Sequence, residues 1–315
     1  MTKRAFLFPG QGAQYGTMGK DLAAAHPAAR SVFDRASERL GFDLSKLCFE
    51  GSDDDLVPTD VQQPAILTHA IAAVEALKAT HGDAAVAAEA AAGLSLGEYG
   101  ALIFAGVLTF EDGVHLVRRR GQLMQAACER YPQSMAAILK LDRHSVHAIC
   151  EKAHAETKDQ CVLGNILGDV NITISGGTRA IERAVALAKE EGGRALVLDV
   201  AGAFHSPYMQ PAEDELADEI RATTFSEPTI PVICNVDGQP TRDVERMRSN
   251  LVKQLTQPVM WADTIQRLID DGVTQFVEVG PGKALTGTLK RIAPENAVLV
   301  NVEKAADVDG FSVSG

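Results

Sequence analysis

The sequence predicts an α/β protein, a large α/β domain interrupted by a smaller inserted subdomain. Three observations lead there. Ala, Leu, Gly and Val dominate while aromatics make up 5% of the 315 residues, which leans away from an all-β fold. Short apolar runs that end in Gly- and Pro-rich loops alternate with stretches of helical period. Between about Ser134 and Val200 the texture changes to a compact strand and helix succession of its own. With 46% hydrophobic and 23% charged residues the chain has ample material for a large core.

Taken in order, Ala5 to Phe8 is a short apolar run feeding the loop Pro9-Gly10-Gln11-Gly12, a strand and a tight turn. Val61 to Ala79 carries apolar residues at helical spacing after Gln62-Gln63-Pro64, with Pro64 suited to a first helical turn. Ala85 to Ala92 is ambiguous by period alone. The Gly93-Leu94-Ser95-Leu96-Gly97-Glu98 that follows makes Val86 to Phe104 a strand, a sharp turn and a helix. Phe110 to Cys128 reads as a helix opened by Thr109, with Glu111 and Asp112 in its first turn.

The inserted region then reads as β-α-β-α-β: a strand over Met135 to Leu141, a helix over Ser145 to Glu156, a strand over Val170 to Ser175, a helix over Thr178 to Glu191, and a strand over Arg194 to Val200. Pro231 to Asn235 and Gln275 to Val279 are further buried strands, the second ending in the loop Gly280-Pro281-Gly282-Lys283 ahead of a helix. From about Ala305 the chain carries little core material and is expected to fray. The domains are therefore placed at 1–127 with 201–315, and at 128–200 for the insert.

Composition excludes several function classes. No stretch approaches the roughly 18 apolar residues of a membrane span. The opening Met1-Thr2-Lys3-Arg4 is cationic, but the apolar run after it is broken by Pro9-Gly10, so it reads as a strand and the chain is expected in the cytoplasm. Cys48, Cys128, Cys150, Cys161 and Cys234 are scattered, with no C-x-x-C pair and no metal-site spacing, and read as ordinary buried or half-buried thiols. A net charge of −12 argues against a general nucleic-acid binder. An acidic partner would have to be drawn by a local basic patch, for which Lys189, Arg194, Lys283, Lys290 and Arg291 are the candidates.

Gly93-Leu94-Ser95-Leu96-Gly97 fits G-x-S-x-G, the nucleophile elbow. A strand turning sharply into a helix holds the middle residue in a strained conformation with its hydroxyl exposed, and the glycines let neighbouring backbone pass close. The helix start also turns free N–H groups towards an oxyanion formed at Ser95. A serine nucleophile needs a base. Of eight histidines, seven lie in helical patterns or beside charges, whereas His205 sits in the loop Gly202-Ala203-Phe204-His205-Ser206-Pro207 after a strand.

Six segments, in order, resemble one family over nearly the whole chain: Phe8 to Gln14, Gly93 to Glu98, Arg120 to Gln125, Phe204 to Ser206, Gln254 to Val259 and Glu278 to Gly282. They are similar to the signatures of malonyl-CoA:acyl-carrier-protein transacylases and the acyltransferase domains of polyketide synthesis. The resemblance implies an α/β-hydrolase-like large domain with an inserted ferredoxin-like subdomain. It implies Ser95 as nucleophile and His205 as general base, with the histidine oriented by the main-chain carbonyl of Gln254 and not by a carboxylate. Gln11 and the N–H of Leu96 would hold the oxyanion, and Arg120 would pair with the malonyl carboxylate. Arg118, Arg119 and Arg120 stand about 100° apart on a helix, so one can point inward while the others stay solvated. Met124, one turn on, would pack against the pocket, and Asn165 would contact the acyl group or thioester arm. Phe204 resembles the malonyl-type pattern, because a bulky ring crowds an α-methyl branch.

Two departures from the family pattern stand out. Leu94 occupies a position where the family commonly has histidine, and Leu167 and Asn171 stand where Asn and Gln are typical. The implied activity is transfer of a malonyl group from malonyl-CoA to the phosphopantetheine thiol of an acyl carrier protein in fatty acid biosynthesis. Malonyl-CoA is then a substrate, and no metal or other cofactor is expected, nor nucleic acid or membrane as partner. The alternatives are a stand-alone acyltransferase of polyketide synthesis, a serine thioester hydrolase, and a non-catalytic carrier-protein binding module.

Overall fold

Arg4–Phe8 (β1) is buried on both faces, and its side chains alternate between them. Phe6 and Phe8 enter the main core, where Phe6 stacks on Phe104 at 4.6 Å, while Ala5 and Leu7 enter a second core on the opposite face. A strand apolar on both sides belongs in a parallel sheet with helices above and below. A computed structural model of the chain, which describes residues 3–312, places it there.

The larger sheet contains β1, Ala90–Gly93 (β2), Val232–Ile233 (β7), Pro240–Thr241 (β8), Gln275–Val279 (β9) and Val298–Val302 (β10). Its order is β10-β9-β1-β2-β7-β8, parallel except for the short β7–β8 pair at one edge. The smaller sheet contains Gln133–Leu139 (β3), Cys161–Gly168 (β4), Asn171–Gly177 (β5) and Arg194–Val197 (β6), antiparallel in the order β4-β5-β3-β6. The helices Arg143–Thr157 and Thr178–Glu190 cover it through Val146, Ile149, Ile181 and Leu187, packed on Ile138, Ile172 and Ile174. The chain is thus a mixed α/β structure.

The second sheet is stitched to the first at one seam. Ile166 N–H donates to the Val259 carbonyl at 2.9 Å, and Val259 N–H donates to Gly164 at 2.8 Å. This seam fixes β4 against the loop that carries Gln254.

Several expectations are corrected. The inserted region is β-α-β-β-α-β: β4 was missed because Gly164 and Gly168 interrupt its alternation, and it pairs with β5 only through register shifts. Pro64 lies inside the helix Thr59–His81 and not in its first turn. The helix absorbs the missing N–H, being buried along most of its length, and tertiary packing overrides propensity. The strand expected over Pro231 to Asn235 shortens to Val232–Ile233. The expected fraying from Ala305 is also wrong for the described part. Ala305–Asp309 is helical, Val308 is fully buried and Phe311 nearly so, because these two side chains dock on the main core beside His81. Residues 313–315, and Met1-Thr2 at the other end, lie outside the described residues.

Cys48, Cys150, Cys161 and Cys234 are buried and Cys128 half-buried, all as free thiols. Among the described residues no helix is long and apolar enough to cross a membrane.

Candidate active site

Two loops at the C-terminal ends of adjacent parallel strands meet here, where open α/β sheets commonly bind ligands. One follows β1 and carries Gln11; the other follows β2 and carries Ser95. Ser95 has a left-handed backbone, φ 51°, immediately before the helix Gly97–Phe104. A side chain in that region costs roughly 1–2 kcal/mol, so the turn must be held by its neighbours. A Cβ on Gly93 would fall 2.0 Å from the Gly97 main chain, and one on Gly97 would fall 2.0 Å from the Phe8 carbonyl. Both glycines are therefore required by close backbone approach. Asn235 clamps the turn from the side: its Oδ1 accepts from Ser95 N–H at 2.6 Å, and its Nδ2 donates to the Gly93 carbonyl at 2.6 Å.

Ser95 Oγ lies 2.8 Å from His205 Nε2. His205 Nδ1 lies 2.8 Å from the Gln254 carbonyl, and only a protonated Nδ1 can bond a carbonyl. The neutral tautomer then leaves Nε2 to accept the serine proton. His205 is itself left-handed, φ 59°, and its loop is fastened by Ser206 Oγ donating to the Ala203 carbonyl and Ala203 N–H donating to Gln133. Burial, and second the charge of Arg120, hold His205 down to about 4. The imidazole is therefore the free base at neutral pH. The rate of serine acylation is expected to be flat through neutrality and to fall tenfold per pH unit only below about 4, as His205 takes up a proton. A stopped-flow pH profile with a limb near 6.5 would contradict that placement.

The three arginines diverge. Arg118 donates to the Leu40 carbonyl and lies over Phe42, and Arg119 pairs with Glu219 at 2.7 Å. Arg120 is fully buried. Its Nη1 donates to Gln63 Oε1 at 2.8 Å, and its Nη2 donates to Ser95 Oγ at 2.9 Å and to Gln254 Oε1 at 3.0 Å, while Nε is buried without a partner. All three acceptors are neutral, so this guanidinium is hydrogen-bonded but lacks a contacting anion. Met124 is buried beside it and its sulfur accepts from Gln63 Nε2 at 3.5 Å.

The amides suited to an oxyanion are less simply arranged. Gln11 spends its side-chain Nε2 on Gln62 Oε1 at 2.5 Å. The main-chain N–H groups of Gln11 and Leu96 have no acceptor among the described residues. Leu96 caps the helix Gly97–Phe104, so its N–H shares the positive end of that helix. Leu94 is partly buried against the second core and offers no polar group to the site.

Ser95, His205, Arg120 and Gln254 are thus joined by hydrogen bonds. Asn165 is not joined to them: its N–H and Nδ2 both meet Thr173 Oγ1, at 2.6 and 3.0 Å, and its Oδ1 is buried without a partner. Phe204 contributes a half-buried ring, and its carbonyl accepts from Ser175 Oγ at 2.5 Å. Sequence reasoning missed Gln63, Asn235 and the side chain of Glu98. Gln63 had a signal, since a glutamine amid apolar residues of a helix must find a buried partner. Asn235 closes an apolar run, which is the same signal in a strand.

Glu98 is buried, and its Oε2 accepts from Gln254 Nε2 at 2.6 Å and from Asn235 N–H at 3.1 Å. Burial pushes this carboxyl up to about 7, against the lowering by those two donors. Among the described residues no group of His, Cys, Asp and Glu is placed to hold a metal ion.

Known proteins resemble this chain over most of its length. Residues 5–307 match the acyl transferase domain family. The chain is 41% identical to the malonyl CoA-acyl carrier protein transacylase of Bacillus subtilis over 293 residues, covering 93% of this chain and 91% of that protein. Its fold is similar to that of the malonyl CoA-acyl carrier protein transacylase of Coxiella burnetii, with a TM-score of 0.93, 36% identity, and 98% and 96% of the two chains covered. A malonyl-transacylase solved in complex with its type II polyketide synthase acyl-carrier protein matches with a TM-score of 0.92 and 36% identity, covering 98% of each chain. The chain belongs to the acyl transferase domain family and is an acyltransferase.

Proposed function

Taking that membership as the premise, we propose that this enzyme moves a malonyl group from malonyl-CoA to the phosphopantetheine thiol of an acyl carrier protein, for fatty acid biosynthesis. The observation that carries the reading is a fully buried arginine without a contacting anion, 2.9 Å from a serine that is itself 2.8 Å from a neutral histidine. A general esterase has no use for a buried cation facing its nucleophile. A substrate with a terminal carboxylate supplies the missing anion, in the bidentate geometry that a guanidinium favours.

His205 takes the Ser95 proton as Oγ attacks the thioester carbonyl. The oxyanion rests on the N–H of Leu96 and on Gln11, whose main-chain N–H is the better placed donor because its side chain is bound to Gln62. Such preorganised donors contribute roughly 3–4 kcal/mol each. The C–S bond breaks, His205 returns its proton to the departing CoA sulfur, and a malonyl-serine ester remains. The carrier's thiol then gives its proton to His205 and attacks the ester; Ser95 leaves and recovers the proton. The six-stranded sheet is read as the α/β-hydrolase-like body and the insert at 128–200 as ferredoxin-like, supported by the order β4-β5-β3-β6. Met124 shapes the pocket wall and Phe204 disfavours an α-methyl branch. Asn165, bonded to Thr173 in the second sheet, is read as the residue that contacts the acyl group or thioester arm.

Malonyl-CoA and a phosphopantetheinylated carrier incubated with the enzyme test the reading. Malonyl should accumulate on the carrier, and release of free malonate at a comparable rate would make the protein a thioester hydrolase instead.

Docking is expected to use local charge. Arg194 and Arg291 line one cleft of about 580 Å³ between the smaller sheet and the helices Trp261–Asp270 and Ala284–Leu289, together with Lys140 and Arg143, whereas Lys189, Lys283 and Lys290 do not line it. Arg143 is paired with Asp263, but Arg194 and Arg291 are exposed and make no ion pair within 4 Å among the described residues. Reversing Arg194 and Arg291 to Glu should raise KM for the acidic carrier about tenfold at low salt, and less as salt rises. Acylation by malonyl-CoA should be unchanged. An equal loss in that first step would assign the cleft to CoA phosphates.

A further inference from the structure

Among the described residues Glu98 is the one buried carboxyl that meets the catalytic network, and nothing in the reaction above uses it. It touches none of the reacting atoms. The side-chain amide of Gln254 and the main-chain N–H of Asn235 lie between it and them. Through Gln254 it reaches three groups at once: Gln254 Nε2, which it accepts from, also donates to the Ser95 carbonyl at 3.0 Å; Gln254 Oε1 accepts from Arg120; and the Gln254 main-chain carbonyl accepts from His205. Through the Asn235 N–H it holds the residue that clamps the elbow on both sides.

The amide of Gln254 could sit either way round, since its O and N are nearly equal in size. The second donor on the same carboxyl oxygen settles the matter, because an oxygen that accepts from the Asn235 N–H carries no proton to give to Gln254. Glu98 Oε2 requires Nε2 on its side, which leaves Oε1 facing the guanidinium of Arg120. The partnerless oxygen, Oε1, is the one free to carry a proton, so Oε2 remains an acceptor in either charge state. A flipped amide would aim its NH2 group at Arg120, and two donors would face each other in a buried site.

We infer that Glu98 is a positioning residue, whose carboxyl fixes the orientation of the Gln254 amide and thereby aims Arg120 at the substrate carboxylate and steadies the carbonyl behind His205. The inference rests on the malonyl reading for Arg120, and the test separates the two.

Glu98→Gln keeps the size and shape but replaces one carboxyl oxygen with an NH2 group, which removes the negative charge and puts a donor where the carboxylate had none. Acylation rate constants with malonyl-CoA and acetyl-CoA are measured for wild type, Glu98→Gln, Gln254→Ala and the double variant. Each is normalised to the Ser95 that titrates with a serine-directed fluorophosphonate, so that unfolded protein does not count. Glu98→Gln should lose about tenfold with malonyl-CoA and about threefold or less with acetyl-CoA, and should lose nothing further in the Gln254→Ala background, as expected of residues acting in series. Equal losses for the two thioesters that vanish in the Gln254→Ala background would leave only the route through the carbonyl behind His205 and overturn the aiming of Arg120, and losses that multiply with those of Gln254→Ala would reduce Glu98 to a structural group. Wild-type rates in Glu98→Gln would overturn the inference outright. Should Glu98→Gln yield no titratable serine, Glu98→Asp, which withdraws the carboxyl by one methylene, is read in the same cycle with the same outcomes. If wild type itself shows no preference for malonyl-CoA, the reading of Arg120 fails first, and the cycle between Glu98 and Gln254 still reports on the coupling through His205.

Discussion

Ser95→Ala should form no acyl-enzyme from malonyl-CoA, and His205→Ala should form it at least about 100-fold more slowly than wild type, the usual loss of a general base. The structure gives each variant a distinct reason. Ser95 is the hydroxyl that His205 Nε2 faces at 2.8 Å, and it is held in the left-handed turn by Asn235. No other serine meets that imidazole nitrogen among the described residues. His205→Ala removes the base but leaves the elbow and the free N–H of Leu96, so residual acylation through the oxyanion site is expected. The two effects should not add: the double variant should be no worse than Ser95→Ala, because the residues act as a unit. Near-normal turnover by His205→Ala would remove this mechanism. The nearest substitutes are poor ones. His69 is fully buried with both ring nitrogens unpartnered and is held down to about 4 by burial, and His115 is occupied by Glu219 on the surface.

Arg120→Ala separates this chemistry from that of a generic hydrolase. Truncating one member of a desolvated charge pair costs about 2–5 kcal/mol, so kcat/KM for malonyl transfer should fall by well over tenfold. Acetyl-CoA brings no carboxylate, and in wild type it leaves the guanidinium on Ser95 Oγ, Gln63 and Gln254. Its use should fall much less, or rise, since the arginine no longer competes for the serine oxygen. Arg120→Lys should recover only part of the malonyl activity, because an ammonium cannot reproduce the planar fork that bridges Gln63 and Gln254. Equal losses with both thioesters would make Arg120 structural, and selectivity for a dicarboxylate-derived substrate would have to be given up even with Ser95 and His205 catalytic.

What could be read from the sequence follows from how local each signal is. The elbow was legible because its glycines report a backbone crossing, and the clash of a Cβ on Gly93 or Gly97 shows why no other residue fits. β1, β9 and the helix Phe110–Cys128 were legible from period and capping, with Thr109 accepting from Asp112 N–H as a cap should. β4 was not, because its glycines and register shifts erase the alternation that marks a strand. The C-terminal helix was missed for a related reason: two apolar residues, Val308 and Phe311, dock it, and so few carry no periodic signal. Within the site, Ser95 and His205 were found from their loops, and Arg120 from a resemblance. Gln63 and Asn235 carried only the signal of a polar residue in an apolar run, and neither they nor Glu98 could be given a role, because their partners lie 57, 140 and 156 residues off in the bonds Arg120–Gln63, Ser95–Asn235 and Gln254–Glu98.

Intact-protein mass spectrometry after brief exposure to malonyl-CoA tests the central claim most directly. Wild type should gain the mass of one malonyl group, mapped to the peptide that contains Ser95, and should lose it again on addition of a phosphopantetheinylated carrier protein, with the same mass appearing on the carrier. No gain, a gain that survives in Ser95→Ala, or an adduct that passes to water and not to the carrier would contradict the account.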